Sequence, residues 1–142
     1  KLEGVSCFNG SEGLDNLLSQ SDYLISLLPL TSETENFLDL KTMKRLKKGA
    51  YLINVGRGKV LVEEDLIQAM KEGHLSGACL DVFRQEPLPA NHPFRNHSKI
   101  LITPHNSSST PAESVAPQIL ENYKNMKNGD PLNNLVDLER GY

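Results

Sequence analysis

The chain has 142 residues, 38% hydrophobic and 23% charged, a balance typical of a globular unit rather than a disordered or fibrous chain. Its 15 Lys and Arg against 18 Asp and Glu give a formal net charge of -3, without a long run of one sign. We therefore expect no nucleic acid partner and no membrane partner, because both need clustered positive charge. The longest apolar stretch, Tyr23 to Leu30, is also far shorter than the roughly 20 residues of a membrane-spanning helix.

The cysteines and histidines indicate the compartment and the absence of a metal site. Cys7 and Cys79 lie in apolar contexts and are predicted to be reduced core thiols, which favours a cytoplasmic protein without a disulfide framework. The first residues lack the basic, apolar and small-residue order of a secretion signal. His74, His92 and His97 show no metal-ligand spacing, so we expect them on the surface and expect no metal.

The first third of the chain begins an alternation of strands and helices, which is typical of βαβ units and a parallel sheet. A short strand is predicted over Gly4–Phe8, and the leucine spacing predicts a helix over Ser11–Ser19. Asp22–Leu28 is a continuous apolar run that stops at Pro29. This pattern predicts a central strand buried on both faces.

The middle of the chain repeats the alternation. Asp39 is expected to cap a helix that ends at Gly49, with a basic cluster placed favourably at its C-terminal end. Ala50–Val55 predicts a second buried strand. Acidic residues then open a helix over Glu63–Lys71, which stops at Gly73.

The last third predicts two further strands, Ala78–Val82 and Lys99–Thr103. The proline-containing loop between them is too long for a tight turn and is therefore expected to be functional. Thr110 is expected to cap a final helix that runs toward Gly129 and is kinked at Pro117.

Candidate functional residues follow from the rule that ligands of open parallel sheets bind beyond the carboxyl ends of the strands. The rule selects Arg57, Asp81, Glu86 and His105. The planar fork of an arginine binds a carboxylate through two hydrogen bonds, which suits Arg57 to a small acid. Imidazoles ionise near working pH, so His105 suits proton transfer, with Glu86 to orient it.

Each of these residues also has a purely structural explanation. Arg57 between two glycines resembles a solvated loop residue, and His105 after a proline resembles a turn residue that binds backbone. Glu86 before a proline resembles a surface charge. Asp81 differs, because a buried carboxylate in an apolar strand is costly without a partner. The coincidence of these groups at strand ends favours a functional site.

Motifs at the same strand ends resemble, in order and spacing, those of the D-isomer-specific 2-hydroxyacid dehydrogenase family. The matching segments are Asn54–Gly58, Leu80–Phe83, Glu86–Pro89 and Thr103–His105. Leu27–Thr34 resembles the family segment that borders the adenosine half of the cofactor. The closing segment from Val136 resembles the glyoxylate/hydroxypyruvate reductase branch most.

The resemblance implies a partial doubly wound, Rossmann-type parallel sheet with flanking helices. Residues 1–108 would form the C-terminal part of an NAD(P)-binding domain, and residues 109–142 a helix and tail that return to the substrate domain. Arg57 would bind the carboxylate of a small 2-keto or 2-hydroxy acid, His105 would donate a proton to its carbonyl oxygen, and Glu86 would pair with His105. NADPH or NADH would contact Leu28, Pro29, Thr34, Val55, Gly56, Arg57, Asp81, His105 and Ser107.

The family's glycine-rich turn precedes the part that this chain resembles, so we expect the chain to be the C-terminal portion of an enzyme that is a homodimer when intact. Two alternatives remain open. One is an enzyme like phosphoglycerate or D-lactate dehydrogenase, and the other is a non-catalytic module that senses nicotinamide cofactor or an inactive fragment.

Overall fold

The fold is a parallel α/β sheet with flanking helices, as predicted. A computed structural model describes residues 3–141. Their elements in chain order are α1 (Gly10–Gln20), β1 (Tyr23–Ser26), α2 (Leu40–Met43), β2 (Ala50–Asn54), α3 (Glu63–Lys71), β3 (Leu75–Leu80), β4 (Ile100–Ile102) and α4 (Ala112–Asn128), with short 3-10 turns at Gly58–Val60 and Pro93–Asn96. The chain divides into two compact units, one ending at His105 and the other beginning at Asn106.

The four strands lie in the order β1-β2-β3-β4, and each neighbouring pair is parallel. Ser26 pairs with Asn54, which pairs with Leu80, which pairs with Ile102. The last residues of all four strands therefore lie side by side. We call the loops that follow them the carboxyl edge of the sheet.

Helices α2 and α3 share a buried hydrophobic core with one face of the sheet. Leu66, Ala69 and Met70 of α3 recur at helical spacing and are buried, and Met43 of α2 lies in the same core. Leu52 in β2 is completely buried on the sheet side of this core. The predicted bounds of α3 are confirmed, because its apolar spacing and its acidic first turn point to the same helix.

The prediction that the first long strand is central and buried on both faces is wrong for the described residues. β1 pairs only with β2 there and forms an edge of the sheet. Tyr23 is 70% exposed and Ile25 57% exposed, and Leu101 of β4 is exposed as well. A continuous apolar run indicates strand but does not reveal whether both faces are covered, because that depends on other elements.

The predicted strand over Gly4–Phe8 is not formed, since this segment has no strand partner among residues 3–141. Cys7 in it is exposed, and Cys79 is only half-buried, so neither is a core thiol. Both cysteines are free. Within the described part of the chain, no helix is long and apolar enough to cross a membrane.

The helix predicted from Asp39 to Gly49 is much shorter than expected. Asp39 caps it as predicted, accepting a hydrogen bond from the backbone N–H of Thr42 at 2.7 Å. After Met43 the chain continues in tighter turns, in which Leu46 N–H donates to the Met43 carbonyl. The basic cluster that follows is held by ion pairs to acids of neighbouring elements: Lys44 to Glu72, Arg45 to Asp15 and Lys47 to Asp22.

Two other boundaries differ from the prediction. β3 begins at Leu75, which pairs with Ala50 of β2, and it ends at Leu80, so Asp81 follows the strand rather than lying in it. Helix α4 begins after Pro111 without a side-chain cap, so Thr110 is not the N-cap. Helix α4 runs to Gly129, as predicted, and Gly129 adopts the left-handed conformation.

Close backbone packing joins the loops that follow β2 and β3. A Cβ atom on Gly58 would overlap the carbonyl carbon and oxygen of Phe83. Any side chain at position 58 must therefore push these two loops apart. Gly58 follows Arg57, and Phe83 lies three residues before Glu86, so this contact sets the separation of two predicted site residues.

We therefore expect Gly58→Ala to lower the free energy of unfolding by about 1–3 kcal/mol through overpacking. Urea denaturation of the chain, followed by circular dichroism, measures this difference. Lys59→Ala is the matched control, because Lys59 is exposed next to Gly58. Equal stability of Gly58→Ala and the wild type would contradict the contact.

Candidate functional site

Most of the candidate site residues from the sequence analysis lie together at the carboxyl edge. A Cβ atom on Gly56 would lie only 2.7 Å from the carbonyl oxygen of Leu28, so the chain segments after β1 and β2 touch there. Val55 N–H donates to the Ser26 carbonyl at 3.1 Å, which extends the β1–β2 pairing by one residue. Leu28, Val55 and Gly56 are therefore adjacent, as a shared cofactor surface requires.

Thr34 organises the loop that follows β1. Its hydroxyl donates to the Pro29 carbonyl at 2.6 Å and accepts from the Thr31 N–H at 2.8 Å. Thr34 thus holds Pro29 in a defined turn at the edge. Ser107, another residue of the predicted cofactor set, belongs to the unit that begins at Asn106 and stays a prediction.

Asn54 supports the turn of the candidate site, a role that the sequence analysis did not assign to it. It is completely buried at the end of β2. Its Oδ1 accepts from Gly56 N–H at 3.2 Å, and its Nδ2 donates to the Arg57 carbonyl at 3.1 Å. The side chain thereby sets the turn that presents Arg57. An amide at the end of an otherwise apolar strand was the signal for this role.

Arg57, Glu86 and His105 line one cavity of about 270 Å³ at the carboxyl edge, which we call the cleft. Leu30, Phe83 and Arg84 also line it. Arg57 is exposed, and its guanidinium donates to the Gly56 carbonyl at 2.8 Å. The structure thus brings the predicted catalytic residues, which are widely separated in sequence, into one space.

The Glu86 carboxylate uses both oxygens. Oε2 lies 2.7 Å from His105 Nδ1, and Oε1 accepts the Phe83 N–H at 2.9 Å. The hydrogen bond from His105 is the largest cause of a lowered pKa of Glu86, and the Phe83 N–H lowers this pKa further against the opposing effect of burial. Because an ionised carboxylate only accepts hydrogen bonds, Nδ1 of His105 carries the hydrogen in this pair. Nε2 is then the ring nitrogen that can gain or lose a proton.

His105 has a backbone φ of 53°, in the left-handed region. Residues other than glycine enter this region rarely, and histidine is among those that do so more often. Such backbone strain concentrates at functional sites, where surrounding contacts maintain it. The hydrogen bond to Glu86 is one such contact.

Asp81 is almost completely buried directly after β3. The Thr103 hydroxyl donates to the Asp81 carboxylate at 2.5 Å. The backbone N–H of Asp81 donates to the Asn54 carbonyl at 3.0 Å. The expectation that this carboxylate needs a partner is confirmed. Asp81 is therefore fixed at the edge between β2 and β4, where its role as a cofactor contact stays a prediction.

The three remaining histidines are half-buried, so the prediction of surface residues is wrong. His74 Nε2 lies 3.1 Å from the Leu46 carbonyl oxygen, and His92 Nε2 lies 3.3 Å from a carboxylate oxygen of Glu63. His97 Nδ1 accepts a backbone N–H two residues further on. The partners of His74 and His92 come from other elements of the fold, which spacing along the chain does not reveal. Among residues 3–141, no three His, Cys, Asp or Glu side chains form a group that could hold a metal.

A parallel sheet with an arginine and a carboxylate–imidazole pair at its carboxyl edge places the chain among the nucleotide-binding α/β domains. Residues 6–107 match the model of the family described as "D-isomer specific 2-hydroxyacid dehydrogenase, NAD binding domain". The chain belongs to this family.

Similar proteins support the assignment. The chain is 41% identical over 142 residues to glyoxylate/hydroxypyruvate reductase A of Photorhabdus laumondii, covering 100% of the chain and 45% of that protein. A D-isomer specific 2-hydroxyacid dehydrogenase from Xanthobacter autotrophicus, solved with NADPH and MES, matches with a TM-score of 0.94 and 44% identity over 100% of this chain and 59% of that one. An NADPH-dependent glyoxylate/hydroxypyruvate reductase from Sinorhizobium meliloti, solved with NADP and sulfate, matches with a TM-score of 0.87 and 32% identity over 94% of this chain and 44% of that one. The chain thus spans less than half the length of the curated relative.

We expect His105→Ala to raise the pKa of Glu86 toward its ordinary value, because the variant removes the largest cause of the lowered pKa. A carboxyl-carbon NMR titration of the chain measures this pKa. The pKa of Glu72 is an internal control and should not change, since it is lowered by hydrogen bonds from Gln68 and Lys44 and not by His105. An unchanged pKa of Glu86 would contradict the pairing.

The same pair predicts the sign of an effect on acid stability. A carboxyl group whose folded-state pKa is lowered stabilises the fold above its unfolded-state pKa and loses this contribution as pH falls through the folded-state value. As pH falls from neutral into the acidic range in which Glu86 titrates, the free energy of unfolding of His105→Ala should therefore decrease less than that of the wild type.

Proposed function

We propose that this chain is the nucleotide-binding portion of an NAD(P)H-dependent reductase of small 2-keto acids, with glyoxylate or hydroxypyruvate as substrate. The observation that carries the proposal is the cleft, in which Arg57 faces the same space as the hydrogen-bonded pair of Glu86 and His105. The similarity to glyoxylate/hydroxypyruvate reductases supports the substrate class. Because the chain spans 45% of the curated relative, the proposal places the remaining substrate contacts in a further part of the intact protein.

Arg57 is proposed to bind the substrate carboxylate. One amino group of its guanidinium donates to the Gly56 carbonyl, which orients the planar fork. A carboxylate is planar and accepts two parallel hydrogen bonds, so the fork fixes both its position and its rotation. The 2-keto carbon is directly bonded to that carboxylate and is thereby placed near His105 in the cleft.

His105 is proposed to donate a proton from Nε2 to the C2 oxygen during reduction. The imidazolium carries hydrogens on both nitrogens, and Nδ1–H stays bonded to Glu86 throughout. Loss of the Nε2 proton leaves a neutral ring in the same orientation. Glu86 therefore selects the nitrogen that exchanges its proton.

The residues at the carboxyl edge fit a nicotinamide nucleotide. Gly56 and Leu28 pack backbone to backbone, and Asp81 presents a fixed carboxylate beside them. With Pro29, Thr34, Val55 and Ser107, they are proposed to hold NADPH or NADH, which supplies the hydride when bound. The NADPH-bound and NADP-bound structures of similar proteins support NADPH.

The intact protein is further proposed to be a cytoplasmic homodimer. Exposed apolar side chains of the sheet, among them Tyr23, Ile25 and Leu101, lie where the rest of the intact protein or a second copy would pack. The two free cysteines support a reducing compartment.

We expect Arg57→Lys in the intact protein to raise KM for the keto acid by roughly tenfold or more, because lysine keeps the charge but loses the fork. The Kd of the reduced cofactor, measured by fluorescence titration, should change little. Arg45→Lys is the matched control, since Arg45 pairs with Asp15 and does not line the cleft. An unchanged KM would remove Arg57 from the substrate site.

His105→Ala in the intact protein should lower kcat by about a hundredfold to ten-thousandfold, the usual value of a positioned acid. Steady-state reduction of glyoxylate and hydroxypyruvate measures the loss. His97→Ala, at a half-buried histidine that does not line the cleft, is the control. Equal losses in both variants would indicate a structural rather than a catalytic effect.

A further inference from the structure

One carboxylate holds the loop after β3 at two places. Glu63 is the first residue of α3, and its Oε1 accepts the backbone N–H of Arg84 at 3.2 Å. Its other oxygen, Oε2, lies 3.3 Å from Nε2 of His92. The segment between Arg84 and His92 contains Glu86. Both ends of the segment that carries Glu86 are therefore attached to the same side chain.

The contact between Glu63 and His92 involves a defined ring nitrogen. His92 Nδ1 accepts the backbone N–H of Phe94 at 3.3 Å, so Nε2, the nitrogen close to Glu63, carries the hydrogen. The His92 side chain is 18% exposed and that of Glu63 is 13% exposed. The ring of His92 also packs edge-on against Phe94, with centroids 4.6 Å apart. The pair is thus sheltered from water, which strengthens the polar interaction between the two side chains.

The attachment at Arg84 lies next to the group that orients Glu86. Phe83, whose N–H binds Glu86 Oε1, directly precedes Arg84. The Arg84 guanidinium reinforces the attachment by donating to Asn36 Oδ1 at 2.7 Å and to the Leu61 carbonyl at 3.0 Å. A displacement of the Arg84 backbone would therefore move the Phe83 N–H away from Glu86.

A role in stabilising the helix N-terminus does not account for these contacts. Glu64 and Asp65 also place acids in the first turn of α3. Asp65 accepts the Leu40 N–H, and Glu64 is exposed. Glu63 alone among these three acids contacts the loop after β3.

We propose that Glu63 is a positioning residue which, together with His92, holds the loop after β3 so that Glu86 stays within hydrogen-bond distance of His105. Its catalytic consequence rests on the proposed function, whereas its effect on the Glu86–His105 pair does not. Two substitutions remove the contact between Glu63 and His92, one from each side, and keep the other contact that each residue makes. Glu63→Gln keeps an oxygen for the Arg84 N–H and loses an acceptor for His92. His92→Asn keeps an acceptor for the Phe94 N–H and is too short to reach Glu63.

The first test uses this chain with 15N-labelled histidine. In the wild type, Nδ1 of His105 should show the NMR signature of a hydrogen-bonded N–H. Glu63→Gln and His92→Asn should each shift this signal toward that of Glu86→Gln, in which the carboxylate is absent. Glu64→Gln, with the same loss of charge one residue away, should leave the signal unchanged. Thermal unfolding confirms that each variant is folded.

The second test measures kinetics in the intact protein. Glu63→Gln and His92→Asn should each lower kcat roughly three- to tenfold and change KM less than twofold. In a Glu86→Gln background, neither should lower kcat further, because the group through which they act is already missing.

Two results would overturn the proposal: a His105 signal that is unaltered in folded Glu63→Gln and His92→Asn, or an equal fall in kcat in the Glu86→Gln background. If the intact protein reduces no 2-keto acid, the proposed function fails, and the NMR comparison still decides whether Glu63 positions Glu86.

Discussion

The backbone contact between Gly58 and Phe83 is the constraint on which the candidate site depends. It sets the distance between the loops after β2 and β3, and these loops carry Arg57 and Glu86. Parallel pairing of β2, β3 and β4 places His105 at the same edge. Because Gly58 has no side chain at this contact, the two loops approach closely, and the groups they carry line one cleft.

The groups in that cleft are oriented by residues behind them. Asn54 sets the turn that presents Arg57, and the Phe83 N–H holds one oxygen of Glu86. Glu86 in turn holds His105, whose left-handed backbone conformation is strained. Each group proposed to contact substrate thus has a hydrogen-bond partner that limits its motion, which is what preorganised chemistry requires.

The accuracy of the sequence-based expectations follows the range of the interactions involved. Helix α3 was predicted with its observed bounds, because helical spacing and an acidic first turn are local signals. The helix after Asp39 was predicted too long, since turns and ion pairs with other elements replace its last part. β1 was identified as a strand, but its position at an edge depends on which elements cover it.

By itself, the sequence determined the alternation of strands and helices, because local residue patterns indicate each element. It also determined the order in which Arg57, Glu86 and His105 follow strand ends, because motif spacing indicates this order. The resemblance implied the pairing of Glu86 with His105, but only the tertiary structure gives their 2.7 Å separation and places Glu63 next to His92. These contacts join residues on different elements, and their distances depend on sheet register and on the Gly58–Phe83 packing. Sequence separation carries no information about such distances until the chain has folded.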